Sequence, residues 1–219
     1  RINAWWYARR IAPKPKQRGL TLREPDGVLA SYWEGRGFAV NPVGTTGRWF
    51  GLNRDIGPVG LAEALLPLGV KRTYQGKPYL VWEYYDVPDQ PGVIRPGVSG
   101  MAQGRVAQVM SIAYSQTGDA RFAEAAAEAL RSFAVPVNRG GVLTMVAYPA
   151  GTKPAPWYVE RAYPGSDPWR GAALNGFMVS ILELRSVEAV LSQPPTASAS
   201  PDPTSATQGA QLARQLADE

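Results

Sequence analysis

The chain has neither cysteine nor histidine. Without cysteine there are no disulfides and no thiol nucleophile, and redox compartment leaves no trace in the composition. Without histidine the commonest general base and the commonest metal ligand are both gone. Acid–base chemistry must therefore fall to Glu, Asp, Tyr or Lys, with Arg as charge partner. No apolar run reaches the length of a membrane-spanning helix, and no signal-like segment is visible. The chain does not begin with Met, which raises the expectation that an upstream piece was removed or never included.

What is present is a 219-residue chain with 45% hydrophobic residues and a net charge of +5. That is enough to bury a real core in one large or two small domains. The positive excess favours anionic partners such as nucleic acid, acidic polysaccharide or an anionic surface. Near the start, Trp5, Trp6 and Tyr7 precede a basic stretch broken by Pro13 and Pro15, which cannot be helical throughout. No recognised nucleic-acid module follows, so nucleic acid is not expected as a partner.

Residues 1–100 read as strand- and loop-rich, with one short helix over Val59 to Leu68. Helical periodicity then appears from about Met101 to Ser115, with Ala102, Val106, Val109, Met110 and Ala113 on one face. Thr117-Gly118-Asp119 breaks it, and Asp119 caps a second helix carrying Phe122, Ala126, Ala129, Leu130 and Phe133. So short a turn predicts an antiparallel helix hairpin. A third helix is expected from about Ala172 to Leu191, with Leu174, Phe177, Met178, Ile181, Leu184 and Val187 on its buried side. Residues 193–208 are poor in apolar side chains and read as a flexible linker. Residues 209–219 read as the start of a helix with nothing to pack against, in a chain that stops early.

Between these helices, the stretch from Trp157 to Leu184 draws attention. It crowds Trp, Tyr, Arg and Glu into a Pro/Gly-rich loop that leads into an apolar helix, a common way to hold reactive groups on a rigid support.

The segments GVSGMAQGRVAQVMSIAYSQTGDARFAEAAAEALRSF, NRGGV, PWYVERAYP and AALNGFMVSILEL follow one another in an order and spacing that resembles the C-terminal domain of D-glucuronyl C5-epimerases. The resemblance spans roughly residues 80–192 and extends weakly upstream through NPVGTTGRWFGLN. It implies a mainly α fold, an incomplete (α/α) helical toroid beside a β-rich N-terminal part, with the toroid segment at 101–192. It also implies conversion of D-glucuronate to L-iduronate within an acidic, glycosaminoglycan-like polysaccharide such as heparan sulfate. The family works without a redox cofactor, taking the C5 proton from one face and returning one to the other, with Glu and Tyr as acid and base.

Carried over by motif, the catalytic residues are Glu160, Tyr163 and Tyr158. Substrate binding falls to Gln103, Trp157 and Asn175, and Arg105, Arg161 and Arg170 are candidates to neutralise the uronate carboxylate. No metal is implied. The loop here reads W-Y-V-E-R-A-Y-P, two residues longer than the family's W-Y-E-E-Y-P, and the family's further active-site tyrosines fall beyond the last residue, so the site of this chain alone is expected to be incomplete. Secretory or extracellular placement is favoured if a signal has been lost, and a homodimer is left open.

Each candidate also has a plain structural reading. Glu160 and Arg161 can be an exposed ion pair, and Tyr163-Pro164 a packed turn. Trp157 can cap the core, Asn175 the helix, and Gln103 and Arg105 can sit on a helix surface. The MAQG glycine can serve close helix packing. Two other functions share these features: a polysaccharide lyase, which abstracts the same proton and then eliminates, and a non-catalytic module that binds anionic glycans.

Overall fold

The computed structural model describes residues 21–33, 37–47, 56–85, 96–147, 151–163, 172–196 and 203–219. The aromatic cluster at Trp5, Trp6 and Tyr7, and Arg170 in the loop, lie outside the described residues.

Three short strands open the described chain: β1 (Thr21–Arg23), β2 (Leu29–Trp33) and β3 (Gly37–Val40), an antiparallel sheet in that order. A six-residue helix, α1 (Pro42–Gly47), follows β3. Asn41 starts it, accepting from the Gly44 N–H at 2.8 Å and donating to Ser31 Oγ at 3.0 Å. Helix α2 (Gly57–Leu65) continues into a 3-10 turn at Leu66–Leu68, so the predicted helix over 59–68 exists but tightens at Pro67. The hairpin β4 (Val70–Tyr74) and β5 (Lys77–Val81) comes next.

Helices dominate from there, and they form the majority of the described residues. Helix α3 (Gly100–Thr117) begins at Ser99, whose hydroxyl accepts from the Ala102 N–H. It ends where Gly118 turns left-handed at φ 72°, a conformation glycine adopts without steric cost. Asp119 caps α4 (Ala120–Arg131) by accepting from the Arg121 N–H, as the sequence predicts. After two 3-10 turns at Ser132–Ala134 and Val137–Arg139, β6 (Leu143–Val146) pairs antiparallel with β7 (Ala155–Tyr158). Trp157 and Tyr158 therefore stand on a strand, and the irregular loop begins only after them.

Helices α5 (Leu174–Leu191) and α6 (Pro203–Asp218) complete the core. The four long helices contact one another in a closed cycle: α3 with α4, α4 with α6, α6 with α5 and α5 with α3. Gly104 faces the Glu183 Cβ, and Gln108 Nε2 donates to Ser186 Oγ at 2.5 Å, so α3 and α5 run in parallel. Gly209 lies against Leu191, whereas Asp218 reaches Arg185, so α6 runs back along α5. The unit is two antiparallel hairpins laid side by side. Among the described residues no helix is long and apolar enough to cross a membrane.

Two expectations are corrected here. Helix α6 begins at Pro203, inside the stretch read as a linker, and it packs through Ala206, Gly209, Ala210, Ala213 and Leu216. Its small residues carry little apolar area each, which is why they looked like linker, yet they let α6 sit close to Ala127 and Leu191. On α5, Leu174 and Met178 are 61% and 54% exposed instead of buried. The face turned inward is Gly176, Ser180, Glu183, Leu184, Val187 and Leu191. The rotation of α5 is set by its close contact with α3 at Gly104, where a methyl group would sit 2.8 Å from the Glu183 Cβ, which brings Glu183 and its neighbours inward in place of Leu174 and Met178.

Candidate active site

The loop after β7 is anchored by its aromatic opening. Trp157 stacks on Phe177 of α5 with ring centroids 4.4 Å apart at 16°. Tyr158 is buried edge-on against Phe133 at 5.0 Å, and its hydroxyl donates to the Leu216 carbonyl at 2.7 Å. Burial pushes the Tyr158 phenol well above its ordinary range, so it holds its proton. Tyr158 is therefore a core tether to α6, not an exposed acid–base group. The Trp157 indole Nε1 is buried with no hydrogen-bond partner among the described residues.

Immediately beyond, the chain turns outward. Glu160, Arg161 and Tyr163 line one pocket of about 250 Å³. Two short β-bridges hold the loop there. Val98 pairs with Ala162, and the neighbouring Gly97 pairs with Tyr84 on its other side. Segment 96–98 thus runs between the loop and the end of the β4–β5 hairpin. Two glycines make room for the key side chains. A Cβ at Gly97 would lie 2.2 Å from the Tyr163 ring, so that ring lies directly over the Gly97 backbone. A Cβ at Gly176 would lie 2.5 Å from the Glu160 Cβ and 3.1 Å from its Oε2.

The remaining walls come from residues outside the loop. Ser31, Asn41, Tyr84 and Tyr85 face the same space. The Tyr84 hydroxyl accepts from the Val43 N–H at 2.8 Å, tying the start of α1 to this wall. Behind Tyr85 stands a charged relay. The Tyr85 hydroxyl donates to Glu83 Oε2, Glu83 Oε1 takes the Arg72 Nη2, and Arg72 Nη1 donates to the Gly140 carbonyl at 2.8 Å. The Glu83 side chain is only 7% exposed. Its hydrogen bond, then burial, then its charge push the Tyr85 pKa up to about 12. In the sequence, Tyr84 and Tyr85 fall within the strand- and loop-rich first hundred residues, and nothing in their spacing links them to the loop after β7.

The other candidates do not join the pocket. Gln103 is fully buried, its Oε1 accepting from the Trp82 N–H at 3.0 Å and its Nε2 donating to the Trp82 carbonyl at 3.1 Å. It clamps α3 to the end of β5, a buried role that neither of its sequence readings supplied. Arg105 pairs with Glu183 at 3.5 Å across α3 and α5, and Glu183 has its pKa raised by burial against the opposing pull of Arg105. Asn175 is exposed in the first turn of α5; the N-cap is Ala173, with no side-chain capping bond. Among the described residues no group of three or more acidic side chains is placed to hold a metal ion.

A carboxyl group, a guanidinium and several phenols thus line one pocket on a mainly helical support, side chains that as types can exchange protons and pair with an anion. A family model described as D-glucuronyl C5-epimerase C-terminus matches residues 75–207, more than half of the chain, and the chain belongs to that family. The family name places it among the epimerases. No curated protein matches the chain.

Proposed function

We propose that this chain is a uronate C5-epimerase domain that converts D-glucuronate to L-iduronate residues within an acidic polysaccharide. The observation that carries the reading is that Glu160, Arg161 and Tyr163, from the loop matched to the family's motif, line a single pocket. Family membership over residues 75–207 supplies the reaction class. The two side-by-side helix hairpins are the repeating unit that an (α/α) toroid would use.

Removing a proton next to a carboxylate places further charge on an anionic group, so the site must neutralise it. Arg161, an exposed residue of the pocket lining, would pair with the substrate carboxylate through its planar fork. Glu160 would exchange a proton with C5, and Tyr163 would hold the ring by its hydroxyl. The excess of basic residues, +5 overall, favours a polyanionic chain as substrate.

The test is incubation with a glucuronate polymer in deuterated water and measurement of deuterium at C5. Incorporation without chain cleavage, reduced about 100-fold or more in Glu160→Gln, is the expected result. Cleavage with an unsaturated uronate absorbance would mark a lyase instead. Binding with neither would mark a glycan-binding module.

A further inference from the structure

The β4–β5 hairpin has one face that leads away from the pocket. Side chains alternate along a strand, so Lys77, Tyr79 and Val81 of β5 share a face with Arg72 and Tyr74, two of their cross-strand neighbours on β4. Glu83 continues that face beyond β5, since it meets Arg72 there, and Tyr85 follows at the pocket. The turn at Val137–Arg139 leans on the same face. Arg72 Nη1 donates to the Gly140 carbonyl at 2.8 Å, and the Tyr79 hydroxyl donates to the Arg139 carbonyl at 2.8 Å. Arg139 and Lys77 are both exposed, and among the described residues neither has a carboxylate within ion-pair distance. The acid on this face, Glu83, is nearly buried and held by Arg72. Lys71, on the opposite face, is taken up by Glu128 at 3.1 Å. Positive charge without a protein partner is thus collected at Arg139 and Lys77, along a path that starts at Tyr85 and passes Arg72. At the usual rise per residue that path reaches at most roughly 25 Å.

We propose that this hairpin face binds the acidic polysaccharide on one side of the sugar held in the pocket, with Arg139 and Lys77 contacting acidic groups further along the polymer. The inference rests on the reading of the substrate above as an acidic polysaccharide. A polymer with negative charge at intervals along its length gains from cations spaced along its path, and not only from one beside the reacting carbon. Arg139 offers a planar fork to a carboxylate, whereas Lys77 acts as a point charge beside the hairpin turn. These contacts are the same before and during proton transfer, so they tighten binding without speeding the chemical step. A fragment confined to the pocket gains nothing from them.

The experiment is equilibrium binding of a glucuronate polymer to the full chain at several salt concentrations, with C5 exchange kinetics beside it. Lys77→Gln and Arg139→Gln alter exposed side chains, and the Tyr79 hydrogen bond survives because it uses the Arg139 backbone. Together they should weaken binding about three- to tenfold at low salt, raise KM by a similar factor and leave kcat unchanged. The weakening should shrink as salt is added. Lys153→Gln, which removes an exposed charge from the turn between β6 and β7, should have no such effect. Unchanged binding in the double variant, or no binding by the unaltered chain, overturns the proposal. The same loss per charge removed in Lys153→Gln also overturns it, because net charge alone would then account for binding. Absence of C5 exchange in the unaltered chain, with the binding pattern intact, removes the epimerase reading and leaves the binding surface standing.

Discussion

A single methyl group at Gly176 tests how the reactive carboxylate is held. The Cβ of alanine there would press on the Glu160 Cβ at 2.5 Å, and a Cβ cannot swing away as a side-chain tip can. Overpacking of this kind costs about 1–3 kcal/mol, and here the strain falls on the one side chain proposed to exchange the proton. Gly176→Ala should lower kcat for C5 exchange at least about tenfold, since one misplaced group can cost that and more. Its melting temperature should fall by several degrees, about 2–4 °C per kcal/mol, while the variant stays folded. Unchanged kcat in a folded variant would show that Glu160 is not held against this helix. The motif LNGFM pointed to Asn175, the residue with a polar side chain. The working contact belongs to its silent neighbour, because a glycine's role is the absence of atoms and becomes visible only when the opposing chain is in place. Gln103 shows the converse. Its amide drew a substrate role by resemblance, but both its polar atoms are spent on the Trp82 backbone.

The helices differ in how legible they are. The α3–α4 hairpin follows from periodicity and one turn, since both signals are local. The face of α5 does not, because it is set by close contact with α3 and by α6 on its other side. The α5–α6 pairing is stitched by charge. Glu188 accepts from Arg214 Nε at 2.6 Å and from Arg185 Nη1 at 3.1 Å, and Arg185 reaches Asp218. Arg214 first, then Arg185, hold the Glu188 carboxyl below its ordinary pKa. A carboxyl whose pKa is depressed on folding adds stability above its unfolded pKa, near about 4.3, and loses it as pH falls through the folded value. Glu188→Gln should therefore flatten the acid limb of the melting temperature against pH, in the range below about 4. The effect should shrink with added salt because the pairs are at the surface. An acid limb identical to that of the unaltered chain would mean these pairs do not couple the two helices.

At the scale of the whole molecule, the pocket is assembled from β2, β3, the start of α1, the segment after β5, the start of α3 and the loop after β7. That is why only one wall of it was legible: the loop motif is contiguous, whereas Asn41, Tyr84 and Tyr85 reach it by tertiary folding alone. Tyr158 links this assembly to the last helix, since its hydroxyl donates to the Leu216 carbonyl two residues before the chain reaches Glu160. If Tyr158 acts as a tether, Tyr158→Phe keeps the ring against Phe133 and removes one buried hydrogen bond, leaving a carbonyl without its partner. The expected cost is about 1–3 kcal/mol of stability, read by denaturant unfolding. C5 exchange per folded molecule should be nearly unchanged. If Tyr158 carries a proton, the pattern reverses, with stability intact and exchange lost. Removing residues 203–219 extends the same argument. It would strip the cover from Leu191 and Ala127 and leave the Tyr158 hydroxyl buried or newly wetted without its acceptor. The shortened chain should lose cooperative unfolding and, with it, the fixed geometry of the loop, so exchange should fall even though no residue lining the pocket has been removed.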